Sequence, residues 1–266
     1  MDFGVKMNPA ETNNFIEKLE KIAKDYHAGS FEDMWIEKAG QDFEWPWIQK
    51  QIKDNSEILD LGFGDGHSFN RLKEIAVSKN LMVTVLEGAS SLVIEASERA
   101  TERFKIVHGF FEDHQSLEGY DLIIASHVLE HVDSPQYLLK HLATLLRPNG
   151  IILGIVPNCE SIHRRLAVNL GLQPNLDTLS SRDHIVGHQR VYSANSLRSD
   201  FEQSGWTITE MRGFFLKPFS NSQLIPFGPD IVNALLAVSD EIPLEFCANL
   251  GFIAKVHEGR TSVSAK

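Results

Sequence analysis

Hydrophobic and polar positions change period several times along the chain. Residues 13–24 put Phe15, Ile16, Leu19, Ile22 and Ala23 on one stripe, the spacing of an amphipathic helix. Residues 26–50 then carry Tyr26, Phe31, Trp35, Phe43, Trp45 and Trp47. Two compatible readings stand for residues 1–50: a helical layer packed on the rest of the chain, or a helical lid over a ligand pocket. Under the second, Tyr26 and Trp35 are candidate substrate contacts. From residue 57 the pattern shortens. Stretches 57–62, 81–88, 104–109, 120–126 and 150–158 are short, apolar and bounded by turn residues, as buried strands are. Helical spacing over 67–80, 90–103 and 135–146 separates them, and the RPNG at 147–150 reads as a helix stop. Ser193 is placed to cap a helix over 194–205, followed by a sixth strand at 206–213 and a seventh at 245–256. Strands alternating with helices in this way predict an α/β fold with parallel βαβ units, a three-layer sandwich. The long connections near 158–192 and 214–244 read as insertions in a domain spanning 51–266.

Composition narrows the function classes. The 266 residues suffice for one large α/β domain. A formal charge of −11 repels phosphate backbones, which argues against nucleic acid as partner. Cys159 and Cys247 form no C-x-x-C and imply no disulfide framework, so reduced thiols and a cytoplasmic location are expected. The opening residues lack the apolar run of a secretory signal, and no stretch reaches the roughly 20 apolar residues of a membrane span. Oligomeric state is not legible.

The chemistry concentrates after the first strand. ILDLGFGDGH sets Gly62, Gly64 and Gly66 between a strand and a helix, where the backbone turns tightly and approaches a ligand. Neither glycine register completes G-x-G-x-x-G, which disfavours a nicotinamide oxidoreductase, and no G-K-[ST] follows for a P-loop. Asp60 precedes the turn, and its carboxylate suits a cationic or amino-bearing ligand head rather than a pyrophosphate. Glu87 ends the second strand and can accept both hydroxyls of a ribose.

This arrangement of acid, glycine turn and second acid resembles the class I S-adenosylmethionine-dependent methyltransferases. The resemblance is closest over residues 56–157 and looser to about 256. It implies a Rossmann-like sandwich whose seven-stranded, mostly parallel sheet has one antiparallel strand. It implies S-adenosylmethionine as cofactor, with Asp60, Gly62, Gly64 and Gly66 beside its methionine part and Glu87 on its ribose. Family members usually carry an acid near adenine after the third strand. Phe110 stands at its commonest position here, which makes Phe111 and Glu112 the adenine-side candidates. SHVLEHV (126–132) contains H-x-x-E-H, a zinc-peptidase pattern if helical. Similar runs follow the fourth strand in this family, beside the sulfonium, so the expectation is no metal, Ser126 at the cofactor and His127 facing the methyl group's path.

Similarly, the DHIVGHQRVY run (183–192) resembles a G-H-x-R-x-Y segment of small-molecule members. It offers His188 as general base oriented by Asp183, and Arg190 for an anionic substrate or an internal carboxylate. The expected function is methyl transfer to oxygen or nitrogen of a small-molecule acceptor, a natural-product intermediate or sugar-linked metabolite. A protein or peptide acceptor and a non-catalytic cofactor-binding regulator are the alternatives.

Overall fold

The computed structural model of the protein describes residues 16–24 and 32–257. Tyr26 lies outside the described residues. Helix α1 covers residues 16–24 and α2 covers Met34–Gln49. There follow β1 (Glu57–Leu61), α3 (His67–Ala76), β2 (Met82–Glu87), α4 (Ser90–Arg99), β3 (Phe104–His108), β4 (Tyr120–Ile124), α5 (Pro135–Leu145) and β5 (Leu146–Pro157). The second half adds α6 (Ile162–Asn169), α7 (Ser181–Ile185), α8 (Ala194–Gln203), β6 (Trp206–Phe214), α9 (Asn221–Leu224), α10 (Gly228–Val238) and β7 (Asn249–Val256).

These strands form one sheet in the order β3-β2-β1-β4-β5-β7-β6, with β7 antiparallel to both neighbours and the β3-to-β5 pairs parallel. This is the expected Rossmann-like sandwich. Alternation along the strands builds its two cores. Ile58, Leu122, Ile124, Leu153 and Ile155 point to one face, against Trp45, Trp47, Phe69, Leu72 and Leu92 of the first four helices' side. Leu59, Ile123, Ile152 and Val156 point to the other, against Leu138, Leu139 and Leu142 of α5 and Leu197 and Phe201 of α8. Phe69 anchors the first core, its ring 5.4 Å from that of Phe63 and 4.7 Å from that of Phe104. The direction of winding reverses between β1 and β4, and in such sheets ligands bind at the carboxyl ends of the strands at that reversal.

Two element boundaries differ from the expected ones, each for a local reason. RPNG is not a simple helix stop. α5 ends at Leu145 and β5 begins at once, with a register shift opposite Tyr120–Leu122 and Asn149 at φ 65°. Arg147 fastens this bulge through Asp121 Oδ2 at 2.8 Å and the Glu118 carbonyl at 3.0 Å. β7 starts at Asn249, because the buried Asn158 amide donates to the carbonyls of Glu245 at 3.0 Å and Cys247 at 2.8 Å and draws that stretch out of the ladder.

Candidate active site

A cavity of about 1290 Å³ opens at the carboxyl ends of β1, β2, β4 and β5. Its lining includes Gly62, Gly64, Glu87, Phe111 and Ser126, together with His127, His131, Asp183 and His188. That volume exceeds a usual small-ligand pocket and has room for two reactants side by side.

The glycine turn is built by backbone conformation. Gly64 has φ +55°, and a Cβ added there would meet nothing within 4 Å, so its backbone borders open cavity. Gly66 has φ +77° but plays a packing part. A Cβ there would sit 2.9 Å from Phe63 Cζ and 2.8 Å from an Arg99 nitrogen, and Gly66 is absent from the cavity wall. Glu87, at the tip of β2, accepts from the Phe63 N–H at 2.8 Å and the Ala89 N–H at 2.7 Å. Each oxygen keeps a free lone pair for a further donor. The same carboxylate therefore holds the glycine turn and faces the cavity. Asp60, 3% exposed, sits behind the lining rather than in it. Burial raises its pKa to about 7, against a lesser opposing effect of Ser68. This set fits S-adenosylmethionine: an open glycine bend, a carboxylate for hydroxyls and a second carboxylate behind the bend. Phe111 stands in the wall, its Cζ 4.0 Å from where a Gly62 Cβ would lie, whereas Glu112 is half-buried outside it, its pKa raised by burial.

The H-x-x-E-H stretch is not helical. Residues 126–133 form turns between β4 and α5, and His127 adopts φ +54°, a conformation rare for a side-chain-bearing residue. The turn folds Glu130 inward to 0% exposure. His127 Nδ1 lies 3.0 Å from Glu130 Oε1. Burial alone would lower the His127 pKa. The Glu130 hydrogen bond and charge, with Glu44 and Glu37 further off, outweigh it and raise it to about 9. His127 thus keeps its proton at neutral pH and can donate, not abstract. His131 goes the other way, lowered to about 4 chiefly by burial.

His188 also lines the cavity, its Nδ1 2.8 Å from Asp183 Oδ1. Asp183 is fixed in turn. It closes a capping box with Ser180 at the start of α7 and pairs with Arg164 at 2.8 Å. Burial would raise its pKa, but the His188 and Ser180 hydrogen bonds and the Arg164 charge hold it well below the usual carboxylate range. His188 Nε2 is left facing the cluster, 4.0 Å from Glu130 Oε1.

Arg190 and Trp35 lie outside the cavity lining. The Arg190 guanidinium donates to the carbonyls of Leu129, Val132 and Asp133, clasping the turn that carries Glu130 and His131 rather than a ligand anion or a carboxylate. Trp35 packs with Ile36 of α2 against Leu224, Val232 and Leu236. The neighbouring face of α2 supplies cavity residues that composition did not flag: Glu37, Gly40, Gln41 and Glu44. Gln41 donates to Asp65 Oδ2 at 3.0 Å and ties α2 to the glycine turn. Glu44 is buried and accepts from Asn249 at 2.9 Å, and burial raises its pKa against the lowering effects of His127 and Asn249. Their signal was present as Glu37, Gln41 and Glu44 at i, i+4 and i+7, one face of α2.

Comparison with known proteins follows from this geometry. The model of the methyltransferase domain family matches residues 41–211. Ubiquinone biosynthesis O-methyltransferase of Coxiella burnetii is 27% identical over 225 residues, covering 81% of this chain and 92% of that protein. Mitochondrial ubiquinone biosynthesis O-methyltransferase of Schizosaccharomyces pombe is 25% identical over 177 residues. That match covers 64% of this chain and 62% of the yeast protein. An S-adenosylmethionine-dependent methyltransferase from Mesorhizobium loti shares the fold at a TM-score of 0.56 and 15% identity, over 80% of this chain and 97% of that one. Among the described residues no helix is long and apolar enough to cross a membrane.

Proposed function

The chain belongs to the S-adenosylmethionine-dependent methyltransferase family, and from that premise we propose that it methylates a hydroxyl oxygen of a small-molecule acceptor. The observation that carries this reading is one cavity lined by Gly62, Gly64 and Glu87 and also by His188 with Asp183 2.8 Å behind it. Both curated relatives described above are named O-methyltransferases, which favours oxygen over nitrogen as the accepting atom.

When bound, S-adenosylmethionine supplies a methyl group already activated by a positively charged sulfur. Gly62 and Gly64 accommodate it by close backbone approach, Glu87 holds the ribose hydroxyls, and Phe111 packs beside the base. Ser126 and the His127 imidazolium stand at the end of β4 as hydrogen-bond donors. His188 takes the acceptor's hydroxyl proton at Nε2, while Asp183 accepts from Nδ1–H and fixes the tautomer that leaves Nε2 basic. Helices α1 and α2 cover the cavity and exclude water, through Leu19, Ile22, Ile36 and Gln41.

The test has two stages. Calorimetry with S-adenosylhomocysteine checks the cofactor site. Transfer of labelled methyl from S-adenosylmethionine to a panel of hydroxyl- and amine-bearing metabolites checks the chemistry. Binding without transfer to any acceptor would favour the regulatory alternative, and preferential labelling of amines would overturn the choice of oxygen.

A further inference from the structure

Behind the cavity lining, Glu130 gathers with His131 and His188 in a cluster that the proposed chemistry draws on only through His188. Glu130, His131 and His188 bring one ligand atom each to within 4.8 Å of one another. Glu130 is fully buried, and its two oxygens are unequal. Oε1 is 3.0 Å from His127 Nδ1, whereas Oε2 is buried without a hydrogen-bond partner among the described residues. A buried carboxylate oxygen left unpaired is costly unless something positive reaches it.

The His188 imidazole is already fixed from behind. His188 Nδ1 is bound to Asp183, leaving Nε2 4.0 Å from Glu130 Oε1. Metal-bound histidines are held in this way, one ring nitrogen on the ion and the other on a carboxylate or carbonyl. The His131 and His188 rings stand edge to face, centroids 4.8 Å apart.

We propose that Glu130, His131 and His188 bind a divalent first-row transition cation, zinc foremost, at the acceptor end of the cavity. One carboxylate and two imidazoles suit such ions, and three protein ligands leave a coordination position open. Tetrahedral bonds of ~2.0–2.2 Å place ligand atoms roughly 3.3–3.6 Å apart, so side-chain movements of about 1–1.5 Å seat the ion. The set is not the one the H-x-x-E-H pattern suggests. The turn makes His127 an outer partner of Glu130, and the third ligand comes from a loop 57 residues beyond His131.

The inference rests on the proposed function only for the acceptor's place and revises how its hydroxyl is activated. An acceptor oxygen on the open position has its pKa lowered by the cation, and its proton passes to water. His188 is then a ligand, and the cation's Lewis acidity takes the place of a general base. Acceptors with two adjacent oxygens, able to chelate, become the preferred class.

Chelator-treated full-length protein, titrated with Zn²⁺ by calorimetry and with Co²⁺ by visible absorption, tests the site. The expected result is one ion per chain, with affinity lost by more than ~100-fold in His131→Ala and in Glu130→Gln, and by about 10–100-fold in Asp183→Asn. His184→Ala, an exposed histidine of the same loop, leaves affinity unchanged. Glu130→Gln keeps the side chain's shape, and thermal unfolding of each variant reports folding. No stoichiometric binding, or binding that survives both His131→Ala and His188→Ala, overturns the site. S-adenosylhomocysteine affinity is measured on the same metal-free sample. If it persists while metal binding fails, only the metal inference falls. If it is absent, the cofactor reading falls whatever the metal does.

Discussion

Glu87 supports the most exacting test of the cofactor site, because it has two separable tasks. It accepts the Phe63 and Ala89 N–H groups at 2.8 and 2.7 Å, and it presents its remaining lone pairs to the cavity. Replacing it with Ala leaves two donors without their acceptor in a site where Glu87 itself is 8% exposed, a cost of roughly 1–3 kcal/mol each where water does not replace the carboxylate. It also removes the acceptor of the ribose hydroxyls, and hydrogen bonds to a charged group contribute about 1.5–3 kcal/mol. Cofactor affinity should therefore fall roughly 10- to 150-fold. Calorimetry with S-adenosylhomocysteine reads the second effect, and denaturant unfolding reads the first. A double-mutant cycle separates them, pairing Glu87→Ala with an analogue of the ligand lacking its 2′ and 3′ hydroxyls. The wild type should lose on the analogue what the variant loses on the full ligand, and the variant should hardly distinguish the two. Equal affinity of both proteins for S-adenosylhomocysteine would refute the ribose assignment. Additive losses would show that Glu87 acts only on the turn.

Four further outcomes are expected. His188→Ala should slow methyl transfer far more than it weakens S-adenosylhomocysteine binding, and equal effects on both would remove it from acceptor chemistry. Gly64→Ala should cost only about 1–2 kcal/mol of stability from its positive φ yet block the cofactor, whereas Gly66→Ala should destabilise the fold by more through Phe63 and Arg99; urea unfolding beside calorimetry distinguishes the two, and the reverse pattern would contradict the turn's geometry. His127 has a folded pKa raised to about 9, so its stabilising contribution is full below about 6.5 and is lost as pH rises through 9; imidazole nitrogen NMR should find it protonated at pH 8, and a neutral ring there would defeat the assignment. Asp60 is an acid raised to about 7, so the folded state binds its proton more tightly than the unfolded chain and stability falls as pH rises from about 4 to 7; without cofactor, Asp60→Asn should flatten that slope in thermal scans, by at most ~4 kcal/mol across the window.

What the sequence disclosed and what it withheld divide along a physical line. Gly62, Gly64 and Glu87 were readable because a strand end, a glycine bend and a second strand end are local features, and the parallel register of β1 with β2 brings Asp60 beside Val85 and Leu61 beside Leu86. The fold was readable because alternation in β1, β4 and β5 and the helical spacing in α3 to α5 agree with one layered arrangement. Side chains whose orientation depends on a distant partner were not readable. Trp35 faces α10 instead of the cavity because of which side of α2 meets Leu224 and Val232. Arg190 turns to three carbonyls 57 to 61 positions earlier in the chain. Glu130 is buried because His127 takes a left-handed φ, a handedness that no pattern of apolar spacing records.

The histidine-lined part of the cavity is organised by where its protons reside. Three imidazoles, of His127, His131 and His188, gather around a single buried carboxylate, Glu130. A lone buried charge is costly, so the carboxylate keeps its ionised form by sharing a proton-bearing partner, and His127 is the one in hydrogen-bond contact. That pairing neutralises the pocket locally and leaves burial to keep His131 uncharged. Asp183, already satisfied by Ser180 and Arg164, orients His188 without drawing on Glu130. Opposed environments thus make His127 a proton donor and His131 a lone-pair carrier within a few ångströms of Glu130, the separation of roles that proton transfer or metal ligation both require. A surface with only balanced, solvated charges would not need it. The buried Glu130, more than the number of histidines, therefore organises the histidine-lined part of the cavity.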